Sequence, residues 1–286
     1  FAKRVERGTK PPSLLFTSIS PCTMLPFQRA KYEEAIKDKD DTLDRRSESV
    51  ANFVLPGLSS DHQSIVGIYG RDGIELIKDQ LKSYPELLNR KIAQKFFPEL
   101  EGTTDLIQIS SSGKTVTGKI FKEEYLETFS TKFYQAFKRV NNLIWGKRGA
   151  RTAFVYSNLV KVGIELFQEI LLQNGFLEYQ ENPSDYVLSD ETLCYFCGHP
   201  YKGHKEIETG KTKIPKHTYH PATFVIITGK SEDTVDLIPE DKQQILSNVF
   251  SSLKNKEGKF IKLVLGSRVI NEGVSMANVA EVHILD

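Results

Sequence analysis

KLVLGSRVINEGVSMANVAEVHILD, residues 262–286, holds two apolar runs separated by a polar turn around Glu272 and Gly273. The first run ends on Gly-Ser-Arg and the second on Asp286. Neither shows strict alternation of apolar and polar residues, so both are expected as strands buried on two faces. Upstream, FIKLVLGS follows a helical stretch, EDKQQILSNVFSSLKN, which follows another apolar run, PATFVIITGK. Further back lie RTAFVYS, a strand by composition, and NLVKVGIELFQEILLQNGF, a helix expected to stop at Asn174–Gly175. This alternation of strands and helices predicts an α/β fold: a parallel sheet flanked by helices. Ligands of such sheets meet the loops beyond the carboxyl ends of the strands. Tyr156, Ser157, Gly229, Lys230, Gly266, Ser267 and Arg268 all fall there.

The part before this sheet is less regular. The segment 123–145 places Tyr125, Leu126, Phe129, Phe133, Phe137, Val140 and Ile144 at spacings of three and four, as an amphipathic helix pair. GIELIKDQLKSYPELLNRKIAQKF is helical but interrupted at Pro85, and TDLIQISSSGKTVTGKIF is read as strand and hairpin. A short helix is expected around Gln28 to Lys37, ahead of the charged run KDKDDTLDRRSE, read as a solvated loop or helix face.

The 286 residues carry 38 basic and 37 acidic side chains, so global charge indicates no partner and any nucleic-acid contact must be local. No apolar run is long enough for a spanning helix, and no membrane partner is expected. The first residue is Phe1, without an apolar leader, and the chain stops inside an element; both predict a piece of a longer protein. Three cysteines make no disulfide framework and indicate a reducing compartment.

Two fragments imitate phosphate loops. In SSSGKT (110–115) the loop-opening glycine would stand at position 108, which is Gln108, and the β-branched, glycine-broken VTGKI follows where a helix is required. TGKTKIP runs into Pro215. SDET (189–192) imitates a magnesium-binding Asp-Glu pair, but only Val187 and Leu188 precede it as strand. No complete ATP site is expected in this chain.

CYFCGHPYKGHKEIETGKTKIPKHTYH, from Cys194 to His220, concentrates cysteine and histidine. Cys194 and Cys197 place two thiolates on one turn, and His217 with His220 can close a tetrahedral zinc site, with His199 and His204 as spare ligands. The gap of 19 residues between Cys197 and His217 is longer than in a compact finger. A polar loop and a redox pair are the other readings. Lys202, Lys205, Lys211, Lys213 and Lys216 outweigh Glu206 and Glu208, so the insertion is locally basic.

Taken together, these residues resemble a family. RTAFVYSNLVKVGIELFQEILLQNGF is similar to motif IV of superfamily 2 helicases, and LVLGSRVINEGVSMANVAEVHILD resembles their motif V. ANFVLPG, FSTKFYQAF and CYFC…HTYHPATFVIITG, in that order, narrow the likeness to helicase-like proteins of nucleo-cytoplasmic large DNA viruses. The poxvirus early transcription factor small subunit and nucleoside triphosphatase I belong to the same wider group. The resemblance implies a RecA-like second lobe over 123–286, with an insertion at 183–221 and an N-terminal arm and inter-lobe region over 1–122. It implies that Ser267, Arg268 and Gly273 line a nucleotide cleft, with the Gly266 and Ser267 amides near phosphate.

The chemistry of these positions agrees with the assignment. A strand-end glycine allows close approach of an anion, and Arg268 offers a planar fork. Glu272 either holds Arg268 or serves as a turn acid; Tyr156 and Ser157 can reach a nucleic-acid backbone through their hydroxyls, or Tyr156 is a core aromatic. The implied cofactors are ATP and Mg2+ in the full-length protein, with structural Zn2+; the implied partners are nucleic acid and viral RNA polymerase. The implied location is the viral factory in host cytoplasm, or the virion. The competing reading is a non-catalytic zinc-containing module that binds nucleic acid or polymerase; a self-contained phosphate-loop enzyme ranks third.

Overall fold

The computed structural model describes residues 17–37, 45–145, 150–229, 238–270 and 275–286. Helix α1 (Pro26–Ala35) opens on a proline, whose missing N–H is one no helix would use there. Most of the charged run before α2 (Arg45–Asn52) lies outside the described residues. Strands β1 (Leu55–Leu58) and β2 (Ile65–Ile68) form an antiparallel pair. Helices α3 (Gly70–Ser83) and α4 (Pro85–Phe96) meet at Tyr84, where Pro85 ends one helix and starts the next, as its position predicts. A hairpin follows, β3 (Gln108–Ile109) with β4 (Val116–Thr117). Lys114 therefore sits in a hairpin turn, and no helix opens after it as a phosphate loop requires.

The short α5 (Glu123–Leu126) leads to α6 (Thr131–Ile144), capped by Ser130, whose hydroxyl accepts from the Phe133 N–H at 3.0 Å. The apolar face of α6 is buried at Phe133, Phe137 and Val140. Each such phenylalanine, removed fully from water, contributes roughly 1.5–3 kcal/mol.

The expected sheet follows. Strand β5 (Thr152–Tyr156) leads through a wide π-type turn, Val160–Glu165, into α7 (Leu166–Gln173). Next come β6 (Leu177–Glu178), the insertion with its short α8 (His204–Glu208), and β7 (Thr223–Ile227). Helix α9 (Glu240–Gln244) continues as a wider helix, Ile245–Phe250, before β8 (Leu263–Gly266) and β9 (Val279–Ile284). The order across the sheet is β6-β7-β8-β5-β9, and every neighbouring pair is parallel. This is an α/β protein with a RecA-like parallel sheet.

One face of the sheet presents Ala153, Val155, Phe224, Leu263 and Leu265 to a core that continues through α7, α6 and the helices before the hairpin. The other presents Phe154, Val225, Ile227 and Val264 to Leu246 and Phe250. Strands β5, β7 and β8 are therefore covered on both faces. Strand β9 departs from that expectation: it is an edge strand, and its burial alternates along its length, with Val282 57% and Ile284 68% exposed. The exposed positions are the apolar Ala280, Val282 and Ile284, whereas Glu281 and His283 are half-buried, so this edge strand presents an apolar outer face.

Candidate metal centre and strand-end cleft

The cysteine–histidine insertion folds back on itself around one short turn. The Gly198 N–H donates to the Cys194 carbonyl at 3.0 Å, and the Cys194 N–H donates to the His199 carbonyl at 2.9 Å, so both thiols project to one side. Gly198 is at φ +70, and a Cβ there would lie 2.7 Å from the Trp145 indole. Only glycine lets this turn rest on the end of α6. Trp145 stacks in turn on Phe176, at the start of the edge strand.

Four donor atoms converge over this turn. Those of Cys194, Cys197, His204 and His217 all lie within 4.8 Å of one another. The His204 and His217 Nε2 atoms are 3.2 Å apart; Cys194 Sγ is 3.4 Å from His217 Nε2, and Cys197 Sγ is 3.6 Å from His204 Nε2. A tetrahedron drawn with ordinary zinc–sulfur and zinc–nitrogen bonds has edges of roughly 3.3 Å between nitrogens and 3.6 Å between sulfur and nitrogen. The observed edges match. The His217 Nδ1 sits 2.6 Å from the Pro215 carbonyl, which fixes its proton there and leaves Nε2 as a bare lone pair aimed at the centre. The buried His204 Nδ1 has no hydrogen-bond partner among the described residues, with Glu208 Oε1 at 3.8 Å. The hydrogen bond from Cys197 draws the Cys194 thiol down to about 4 and holds Cys197 above its usual range. A thiolate and an imidazole lone pair meeting at this distance call for a cation, so the group is able to hold a metal ion.

His220, expected as the fourth ligand, is not in this group. Its carbonyl accepts the Tyr195 N–H and its ring lies edge-on to Tyr195. His204 takes that place because α8 folds back between the cysteines and His217. His199 contributes its carbonyl to the turn.

The strand ends are more closed than the sequence suggests. Ser157 is buried, and its hydroxyl donates to Asp286 Oδ1 at 2.7 Å, while the Asn158 N–H donates to Asp286 Oδ2 at 2.7 Å. The hydroxyl expected to touch a nucleic-acid backbone thus clamps the ends of β5 and β9 together. Gly163 makes room for the clamp, since a Cβ there would lie 2.2 Å from Ser157 Oγ.

The Gly266 and Ser267 amides also differ from expectation. Ser267 is buried and its N–H donates to the Ile227 carbonyl at 3.2 Å; Gly266 lies buried in register between Tyr156 and Ile227. Inside the sheet their hydrogen bonds are already made, so phosphate cannot claim them. Arg268, one residue on, is exposed. Tyr156 is partly buried against the second core cluster, and its hydroxyl donates to Asn158 Oδ1 at 2.7 Å. Gly229 is half-buried beyond β7. Glu272, Gly273 and Lys230 lie outside the described residues.

Three features carried no usable signal in the sequence. Asp286 is visible there as the end of a strand, but its partners are more than a hundred residues away. Trp145 follows a helix without any mark of the turn it supports. Lys262, the residue before β8, is fully buried, its Nζ donating to the Glu257 carbonyl at 2.6 Å over the Tyr195 ring, and burial pulls it down to about 7.

Fold and site together define a RecA-like α/β protein carrying a two-cysteine, two-histidine group. No protein-family model matches the chain. Among its relatives, Putative ATP-dependent RNA helicase L377 of Acanthamoeba polyphaga mimivirus is 48% identical over 290 residues, covering 100% of this chain and 25% of its own length. An Early transcription factor large subunit homolog of African swine fever virus (isolate Pig/Kenya/KEN-50/1950) is 28% identical over 151 residues, 52% of this chain and 12% of its own. A second mimivirus protein of the same helicase description, R563, is 24% identical over 220 residues, covering 75% of this chain and 30% of its own. The chain is thus related to the viral superfamily 2 helicase-like proteins that its motifs resemble. It spans 12–30% of the length of these relatives. Their transcription-factor member is named for the large subunit, where the motifs suggested the small one. No helix among the described residues is long and apolar enough to cross a membrane.

Proposed function

We propose that this chain is the second RecA-like lobe of a viral ATP-dependent helicase or translocase that serves viral transcription. It would work in the viral factory or virion, on nucleic acid and beside the viral RNA polymerase. The observation that carries the reading is the 48% identity, over the whole chain, to a mimivirus protein named for RNA helicase activity. The parallel sheet agrees with it, as does an exposed Arg268 at the carboxyl end of β8. Arg268, with Tyr156, Gly229, Glu272 and Gly273, would face nucleotide or backbone phosphate; Gly266, Ser157 and Ser267 would only shape the strand ends. ATP and Mg2+ belong to a pocket completed elsewhere, because Lys114 lies in a hairpin. The four-donor group would hold a structural Zn2+ through Cys194, Cys197, His204 and His217.

The chain alone is expected to show no ATP turnover. A polypeptide of the relatives' length should hydrolyse ATP in a nucleic-acid-stimulated manner, and Arg268→Ala should lower that turnover by about tenfold or more, the usual effect of removing a charge-stabilising group. Turnover by the chain alone that disappears in Lys114→Ala would overturn the reading. The second reading, a zinc-containing binding module without catalysis, is favoured by the completeness of the donor group beside an incomplete ATP site. It predicts no turnover at either length.

A further inference from the structure

A cavity of about 800 Å3 opens at the amino-terminal end of β7 and β8, beside the edge strand β6. It lies away from the carboxyl ends of the strands: β7 is five residues long, so roughly 13 Å of strand separates the two. Its volume is that of a ligand site, roughly 300–1,000 Å3 in folded proteins. Five aromatic rings contribute to its wall, those of Tyr179, Tyr186, Tyr219, His220 and Phe260. Phe260 is 38% exposed, unusual for a phenylalanine packed for stability alone.

The charged lining is Lys254 and Lys259 against a single carboxylate, Glu181. Neither lysine makes an ion pair among the described residues, and Lys259 Nζ sits 5.9 Å from the centre of the Phe260 ring. A cation beside an aromatic floor suits a ligand with a flat face and an attached anion. Asn248, Ser252 and Gln180 add neutral donors and acceptors around the same space. An aliphatic peptide anchor would leave these groups dry and unpaired, whereas a base has both a stacking face and a hydrogen-bonding edge.

We propose that this cavity is a second nucleic-acid site, taking one or two unpaired nucleotides of a single strand, bases against Phe260 and the tyrosines, phosphates on Lys254 and Lys259. The site stands independently of the role given to Arg268. It would hold the strand on the lobe, and it reads no sequence, since every base has a face to stack.

The test is fluorescence anisotropy of labelled twelve-nucleotide oligouridylate and oligothymidylate on the full chain. Phe260→Ala should weaken binding by about tenfold, the ordinary effect of losing one stacking platform. The double variant Lys254→Glu/Lys259→Glu should flatten the log–log salt dependence by about 1.4, for two lost single-strand phosphate contacts. Lys254 is exposed and Lys259 half-buried at the rim, so the thermal midpoint should stay put and mark any loss as one of binding. Arg268→Ala is the comparator: loss there with both groove variants unchanged overturns this proposal and leaves the cleft reading standing. The reverse pattern supports the groove and removes Arg268 from strand binding. Unchanged binding in all groove variants assigns the cavity to a protein segment and overturns the proposal. Saturation by uridine monophosphate alone, with no gain from chain length, assigns it to a free nucleotide and does the same.

Discussion

At the scale of single residues, burial decides which of the expected contacts survive. Ser157 and Ser267 sit where a strand-end hydroxyl or amide could meet phosphate, yet both are buried and Ser267 has given its N–H to Ile227. Arg268, next in sequence, is exposed. Position along a strand is legible in sequence; the direction in which the first loop residue leaves the sheet is not, because it depends on neighbouring strands. Glu169 shows the same force acting on a carboxylate. It is buried on α7, and burial raises its pKa above the ordinary glutamate value, with Glu165 adding to the rise and a hydrogen bond to Thr117 opposing it. Between the unfolded value and the raised folded one, the native state holds a proton that the unfolded chain has released. Stability therefore falls as pH rises through that window. Glu169→Gln keeps the volume and removes the ionisation. Its melting temperature should exceed that of the parent at pH 7, and the difference should shrink on acidification through the same window. A variant less stable than the parent at pH 7 would show that the carboxylate is held by an interaction stronger than its burial.

Among the elements, those with long one-sided patterns were readable and the short ones were not. RTAFVYS, PATFVIITGK and FIKLVLGS became β5, β7 and β8 because continuous β-branched and aromatic runs have few other places to go. The edge strand β6 is two residues long, too short to impose a pattern. The metal turn was legible in its cysteines and ambiguous in its histidines, since spacing alone weighs His220 as heavily as His204. What selects His204 is α8, a five-residue helix that brings the chain back over the turn. The purified chain should carry close to one equivalent of zinc. His204→Ala should lower its zinc affinity by more than tenfold, the scale seen even for outer-shell partners, and His220→Ala should leave it unchanged. Chelation should expose Cys194 and Cys197 to thiol reagents and speed amide exchange across 189–220, while β5, β7 and β8 stay protected. Less than about half an equivalent of metal, or equal effects of the two histidine substitutions, would remove the zinc assignment.

Over the whole molecule, the question is whether the helices before the sheet are an arm or part of one cooperative body. One cluster of buried side chains runs from Phe53 through Phe97, Phe121 and Phe133 to Leu265 and Leu285, and so crosses residue 122, where the resemblance divides arm from lobe. Lys132 joins the same parts by hydrogen bonds, its Nζ donating to Asn52 Oδ1 at 2.8 Å and to the Leu285 carbonyl at 2.9 Å. The Ser130 hydroxyl adds a bond to the Asn52 carbonyl. Burial lowers the Lys132 pKa, and Asp286 offsets part of that cost. A core shared by both parts is expected to couple their unfolding. Urea denaturation followed by tryptophan fluorescence, which reports Trp145, and by far-ultraviolet circular dichroism should therefore give one coincident transition. Lys132→Met keeps the aliphatic packing but leaves two acceptors without their donor, so it should lower stability by about 1–3 kcal/mol with no change in slope. Were the helices an independent arm, the two probes would separate, and Lys132→Met would move the circular dichroism transition alone.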